Sequence, residues 1–191
     1  MSHYGKIGYW DERYSEKDTS FEWYFPYSII RPIFHEYVQP ESRILQIGCG
    51  NSHVADDLFD DGFHHISNID ISEVVVEQMR RHNRREGMTY EKMDVRHLTY
   101  PSEAFEAVID KGTVDAIVCG EDKDLAMAEL AHEVLRVLTP GGVFICISCV
   151  EPAYRFKYFQ RVEFPWTVRH TTIRKEPNAE PRHVYIMIKP P

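Results

Sequence analysis

Residues 43–52 read Arg43-Ile44-Leu45-Gln46-Ile47-Gly48-Cys49-Gly50-Asn51-Ser52, and residues 65–70 read His65-Ile66-Ser67-Asn68-Ile69-Asp70. Ile44, Leu45 and Ile47 form a short apolar run that stops at Gly48, Gly50 and Asn51, as a buried parallel strand does where it enters a tight turn. Ser52 is the expected N-cap of a helix, with Val54, Ala55, Leu58 and Phe59 at helical spacing and Gly62 ending the segment. The next apolar strand delivers Asp70. Glycines that admit a ligand to the backbone, free N–H groups at a helix start and an acid suited to a ribose diol make this a nucleotide-type pocket.

A glycine turn followed about 20 residues later by an acid also describes dinucleotide enzymes. Their third glycine gives room for pyrophosphate, and the position equivalent to it here, counted from Gly48, is His53. The alternative is S-adenosylmethionine, whose adenosine lies along the same strand ends but carries a sulfonium and an amino acid in place of phosphates.

Length and composition set the bounds on this reading. With 191 residues, 43% of them hydrophobic, the chain has material for one domain core. A net charge of -8 argues against a nucleic-acid surface. Cys49, Cys119, Cys146 and Cys149 read as free structural thiols of a reducing compartment, and the C-x-x-C spacing of the last two sends them to opposite faces of a strand, so no metal site is expected. Neither a signal-peptide core in Met1–Lys6 nor a run of membrane-spanning length is present, which points to a soluble, cytoplasmic protein without a membrane partner.

Along the chain, Trp10 and Tyr14 stand one helical turn apart, either stapling an N-terminal helix to the core or forming an aromatic lid over the cofactor. A packing helix is expected over residues 28–38, closed by Pro40. After Asp70, a helix ends in the basic cluster Arg80, Arg81, His82, Arg84 and Arg85, which complements its dipole. Strands are expected over 88–93 and 105–110, ending in Asp94, suited to the adenine amino group, and in Asp110. In an open parallel sheet these acids converge with Asp70 on one crevice. A helix over 125–138 and a buried strand over 143–150 follow, then strands over 164–173 and 183–188 as an antiparallel hairpin. The fold class is therefore α/β: a Rossmann-like, doubly wound, mostly parallel sheet with an antiparallel C-terminal hairpin. One domain is expected over 1–191, with a lid and packing helix over 1–40, a cofactor-binding core over 43–150 and the hairpin region over 151–191.

These residues resemble the class I, seven-strand S-adenosylmethionine-dependent methyltransferases, and within them the eukaryotic elongation factor 1-alpha lysine methyltransferases. The resemblance spans nearly the whole chain: Tyr9-Trp10-Asp11-Glu12-Arg13-Tyr14, Gly48-Cys49-Gly50-Asn51-Ser52, Met93-Asp94-Val95-Arg96, Asp110-Lys111-Gly112-Thr113-Val114-Asp115-Ala116 and Leu138-Thr139-Pro140-Gly141-Gly142. It implies that the cofactor is held by Trp10, Tyr14, Trp23, Gly48, Asp70, Ile71, Asp94, Val95 and Lys111, the last through its backbone. Gly50 joins them as part of the glycine turn. Neutral Gln46 and Ser52, where the wider superfamily often has an acid and a third glycine, match the narrower family. The protein partner implied is elongation factor 1-alpha, and a monomer is expected.

Methyl transfer from a sulfonium to an amine is an in-line displacement, so the protein's task is alignment and exclusion of water. A lysine acceptor must arrive neutral although its ordinary pKa is about 10.4. Asp110 is the candidate for orienting that amine or passing its proton to water. Trp166 is either an apolar wall for the lysine or a core residue. The alternatives are a small-molecule methyltransferase, which calls for an enclosed pocket, and a non-catalytic subunit that keeps the fold.

Overall fold

The apolar runs of the sequence become the strands of one twisted sheet. The computed structural model describes residues 3–16 and 20–191; Met1, Ser2 and positions 17–19 lie outside the described residues. Among the described residues the strands are β1 (Arg43–Ile47), β2 (His65–Asp70), β3 (Met88–Lys92), β4 (Phe105–Lys111), β5 (Leu138–Ser148), β6 (Thr167–Ile173) and β7 (Arg182–Ile188), in the order β3-β2-β1-β4-β5-β7-β6. The first five pair in parallel, and β7 runs antiparallel between β5 and β6. The expected sheet is therefore present. Strand order reverses between β1 and β4, the place where open α/β sheets bind ligands.

The helices are α1 (Ile7–Glu16), α2 (Tyr27–Tyr37), α3 (Val54–Asp60), α4 (Glu73–His82), α5 (Thr113–Ile117), α6 (Lys123–Val137) and α7 (Pro152–Phe159). Period-two alternation divides the core between the two faces of the sheet. Ile44, Ala107, Ile109, Ile145 and Ile186 pack beneath α2, α3 and α4, while Leu45, Val108, Phe144, Cys146 and Tyr185 pack against α6 and α7. Trp166 belongs to the second layer: it is buried and donates its Nε1 hydrogen to the Phe159 carbonyl at 2.7 Å, so it is a core residue rather than a wall of the acceptor site.

Some expected boundaries shift for local reasons. His53, not Ser52, stands at the N-cap of α3; Ser52 Oγ accepts from Val54 N at 3.2 Å and donates to Glu22. β6 begins at Thr167, beyond Pro165, which has no N–H to give to a ladder. The basic end of α4 is paired: Arg80 holds Glu77, and Arg85 bridges Asp56 and Asp60. Apolar periodicity does not disclose α5 and α7. The first has under two turns, and the second carries Arg155 within its buried face.

Asp110 corrects an expectation. Alternation places it on the same face as Val108, under α5, where it is 0% exposed. Its Oδ1 accepts from Thr113 N at 2.8 Å and Val114 N at 3.3 Å, and Cys146 Sγ donates to Oδ2 at 3.0 Å. It therefore anchors the start of α5 and does not reach an acceptor. Burial pushes its carboxyl up to about 6.

Arg155 is likewise 0% exposed, and its Nη2 donates to Asp115 Oδ1 and, at 3.2 Å, to Ser148 Oγ. This buried pair joins α7 to α5 and the end of β5.

Two predictions follow from these buried charges. A carboxyl raised on folding binds more protons in the folded than in the unfolded chain, so its stabilising contribution is complete below 3.8 and is lost as pH rises through about 6. Asp110→Asn should therefore gain on the wild type between acid and neutral pH, by about 3 kcal/mol, in urea melts at both; identical pH dependence of the two proteins would contradict this. Arg155→Leu removes the counter-charge of the Asp115 carboxylate and should cost about 3–5 kcal/mol, lowering Tm by roughly 6–20 °C in a thermal melt. A Tm within about 2 °C of wild type would show the pair to be dispensable.

Candidate active site

A cavity of about 880 Å³ runs along the carboxyl edge of the sheet, from the end of β3 past β2, β1 and β4 to β5 and the start of β7. All ten residues expected around a cofactor line it; Asp110 does not. The floor is the turn after β1. Gly48 has φ +58, and a Cβ there would lie 1.9 Å from Thr113 Oγ1. Gly50 has φ +53, and a Cβ would meet Tyr14 Oη at 2.7 Å, so both positions need the missing side chain as well as the left-handed backbone.

Asp70 ends β2 with 7% of its surface exposed. One oxygen accepts from Gly50 N at 2.9 Å and the other from Ser72 N at 3.0 Å, with the Ile71 amide a third donor, which fixes the turn to the strand and leaves the carboxylate acceptor capacity for a ligand hydroxyl. Burial raises its carboxyl above the ordinary range, against the pull of these backbone hydrogens. Asp94, after β3, is bound through both oxygens by Arg96, with Nη2 at 2.6 Å from Oδ2. Burial opposes its ionisation, but the Arg96 hydrogen bonds prevail and hold it below the usual value. A base amino group at Asp94 thus shares the carboxylate with a guanidinium.

The roof comes from the N-terminal segment. Trp10 and Tyr14 stack at 6.0 Å, and Trp23 meets Trp10 edge-on at 6.4 Å. The stapling is present, and both rings also line the cavity: Tyr14 is buried against the core, while Ser72 Oγ donates to Asp11 and Gln78 Nε2 donates to the Tyr14 carbonyl, tying α1 to α4. Burial, and then the Asp70 charge, push the Tyr14 phenol well above its ordinary range.

Lys111 lines the cavity and has, besides the backbone role expected of it, a side-chain role that sequence did not disclose. One residue beyond Asp110, alternation turns it to the opposite face. Its Nζ, on a side chain 4% exposed, donates to Glu22 Oε2 at 2.7 Å and to the Trp23 carbonyl at 2.8 Å. Glu22 also accepts from Ser52 Oγ at 2.9 Å and from His53 N at 2.5 Å. With Val54 N bonded to Ser52 Oγ, the His53 and Val54 amides at the start of α3 are taken, and a carboxylate stands where a pyrophosphate would need positive potential.

At the β4–β5 end, Asp115 gathers four donors: Tyr24 Oη at 2.5 Å and Cys149 N at 2.9 Å on Oδ2, with Ser148 Oγ at 2.5 Å and Arg155 on Oδ1. The Arg182 guanidinium lies 5.2 Å from the centre of the Tyr24 ring. Tyr24, Asp115, Arg155 and Arg182 were not singled out by sequence reasoning. Only Asp115 carried a signal, as the second acid of the Asp110–Ala116 run.

The residues present suit S-adenosylmethionine. Flat rings offer surface for an adenosyl sulfonium, Asp70 retains acceptors for a sugar diol, and the phosphate position is blocked by Glu22. The family profile described as "Methyltransferase domain" matches residues 45–146. "EEF1A lysine methyltransferase 4" of Mus musculus is 36% identical over 97% of this chain and 76% of its own length. "eEF1A lysine and N-terminal methyltransferase" of Homo sapiens is 40% identical over 78% of this chain, which spans only 22% of that protein. Among solved structures, the N-methyltransferase NodS of Bradyrhizobium japonicum WM9, in complex with S-adenosyl-l-homocysteine, superposes with a TM-score of 0.68 at 13% identity, covering 95% of this chain and 99% of that one, a likeness of fold. With its profile match over the sheet core and its similarity to EEF1A lysine methyltransferase 4 along nearly its full length, the chain belongs to the methyltransferase family.

Proposed function

We propose that the protein transfers a methyl group from S-adenosylmethionine to a lysine ε-amine of translation elongation factor 1-alpha, as a cytoplasmic monomer in which residues 1–191 work as one domain. The observation that carries this reading is the 36% identity to EEF1A lysine methyltransferase 4 over 97% of the chain. The cavity's surface rim, at exposed Glu121, Asp122 and Lys123, supports it, since a lysine on a protein needs a site open to a macromolecule. Among the described residues no helix is long and apolar enough to cross a membrane.

When bound, S-adenosylmethionine supplies a methyl group activated by the positive charge on sulfur. The chain contributes alignment and dryness. Asp70 would accept the sugar hydroxyls, and the Gly48–Gly50 backbone would leave room for the ligand to approach. Trp10, Tyr14 and Trp23 cover it with rings whose faces favour a cation. Lys111 and Glu22 neutralise one another beneath the roof, so neither presents an unpaired charge to the sulfonium.

Two measurements check the reading. Gly50→Ala forces a side chain into left-handed backbone and against Tyr14 Oη, and calorimetry with S-adenosylhomocysteine should give a Kd at least tenfold weaker, about 1.4 kcal/mol or more, with the fold intact; an unchanged Kd would move the ligand away from this turn. Incubation of the wild type with radiolabelled S-adenosylmethionine and elongation factor 1-alpha should label a lysine of that protein. Label appearing in a metabolite and in no protein would favour the small-molecule alternative and overturn this one.

A further inference from the structure

We infer that the Tyr24 hydroxyl is the group that receives and orients the acceptor amine, held in place by a buried Asp115–Arg155–Ser148 network. The inference rests on the reading of the protein as a lysine methyltransferase and names the acceptor side of its site.

The position of this group follows from the sheet. The acids suited to sugar and base, Asp70 and Asp94, follow β2 and β3, on one side of the glycine turn. Tyr24, Gly112 and Asp115 line the same cavity on the other side, past β4 and towards β5. An acceptor that meets the methyl group from the side opposite the nucleoside therefore enters over this end.

Hydrogen-bond accounting then selects one atom. Each oxygen of Asp115 already accepts two hydrogens, so its carboxylate is full. Ser148 Oγ gives its hydrogen to Asp115 and accepts from Val150 N at 3.0 Å and Arg155 Nη2 at 3.2 Å, so it is full as well. Tyr24 Oη spends its only proton on Asp115, at 2.5 Å, and its oxygen, which also shares a hydrogen bond with the Cys149 thiol, keeps one lone pair for an incoming N–H. Within this network it is the acceptor with capacity to spare.

The backbone is held in an unfavourable conformation to achieve this. Tyr24 has φ +66, a left-handed conformation that costs a non-glycine residue about 1–3 kcal/mol. The neighbouring Lys111–Trp23 hydrogen bond and the Tyr24–Asp115 bond hold it there, with the ring against Gly112, where a Cβ would come within 3.4 Å of it. Strain of this kind persists where the surrounding structure over-determines a position, and here it places one hydroxyl at the cavity wall.

The surroundings suit positioning rather than proton removal. Burial, followed by the Asp115 charge, pushes the Tyr24 phenol far above its ordinary range, so it stays neutral and accepts an N–H without ionising. The Arg182 guanidinium over its ring disfavours a second cation alongside, and so favours the free amine over the ammonium. The ammonium proton passes to water at the rim before transfer. The amine lone pair then forms the C–N bond as the C–S bond breaks and its electron pair stays on sulfur, and the resulting methylammonium releases its extra proton to solvent. Asp115 and Arg155 act through Tyr24 and are positioning residues.

The test compares wild type and Tyr24→Phe on elongation factor 1-alpha with labelled S-adenosylmethionine. Phenylalanine keeps the ring and loses the acceptor, so kcat should fall about 10- to 100-fold, as expected for one transition-state hydrogen bond. Calorimetric Kd for S-adenosylhomocysteine should stay within about twofold. A kcat within about twofold of wild type overturns the inference. If Tyr24→Phe does not fold, 3,5-difluorotyrosine at position 24 keeps the shape and weakens the oxygen as an acceptor; kcat should then fall several-fold, and an unchanged kcat overturns the inference. Wild-type labelling is measured first: no transfer to protein overturns the proposed function and this inference with it, whereas equal transfer by both proteins overturns the inference alone.

Discussion

One buried ion pair sets the geometry of the whole cleft. The Lys111 ammonium, almost without solvent, is tolerable only because Glu22 and the Trp23 carbonyl surround it. A buried charge stripped of its partner is strongly destabilising, typically by about 3–5 kcal/mol. Glu22 extends the same contact to Ser52 and His53, so a single cluster joins the end of β4, the start of α3 and the N-terminal segment over residues 20–26. Trp23 and Tyr24, whose rings meet edge-on at 6.2 Å, are then delivered side by side to the cavity wall by one short stretch of chain. Without that pair the Trp23 side of the roof would lose its anchor, while Trp10 and Tyr14 keep theirs on α4.

The acids at the sheet edge illustrate how position within a strand decides a role. Asp70, Asp94 and Asp110 each end a strand, and in sequence they look equivalent. Asp70 opens to the cavity and keeps lone pairs free; Asp94 opens to it but is held by Arg96; Asp110 is turned beneath α5 and holds backbone amides. Asp115, five residues after Asp110, lines the cavity because α5 carries it back to the rim. Glu22 adds a selectivity that no strand supplies, since its carboxylate takes the His53 amide and sets a negative charge at the start of α3, where a phosphate would bind.

The sheet was legible because its signals are local: β-branched runs, glycines at strand ends and period-two alternation. The glycine turn, Asp70 and the paired aromatics Trp10 and Tyr14 were legible for the same reason. Trp23 and Lys111 entered only through resemblance to a family, and the side-chain role of Lys111 was invisible, because its partner Glu22 lies 89 residues away. Tyr24, Arg155 and Arg182 belong to the same class. Arg155 sits in a helix too short to show a period, its charge is matched by Asp115 40 residues earlier, and no spacing rule joins the two. Asp110 failed as an acceptor-site residue because sequence spacing identifies a strand end without saying which face the last side chain takes.

The central claim is that the N-terminal segment, latched by Lys111, completes the cofactor site. Calorimetric titration of Lys111→Met with S-adenosylhomocysteine tests it most directly, since methionine keeps the apolar stem and removes the charge. The account predicts a Kd at least tenfold weaker than wild type, about 1.4 kcal/mol or more, in a protein that remains folded. A Kd equal to that of the wild type would contradict it, because the roof would then form without its latch.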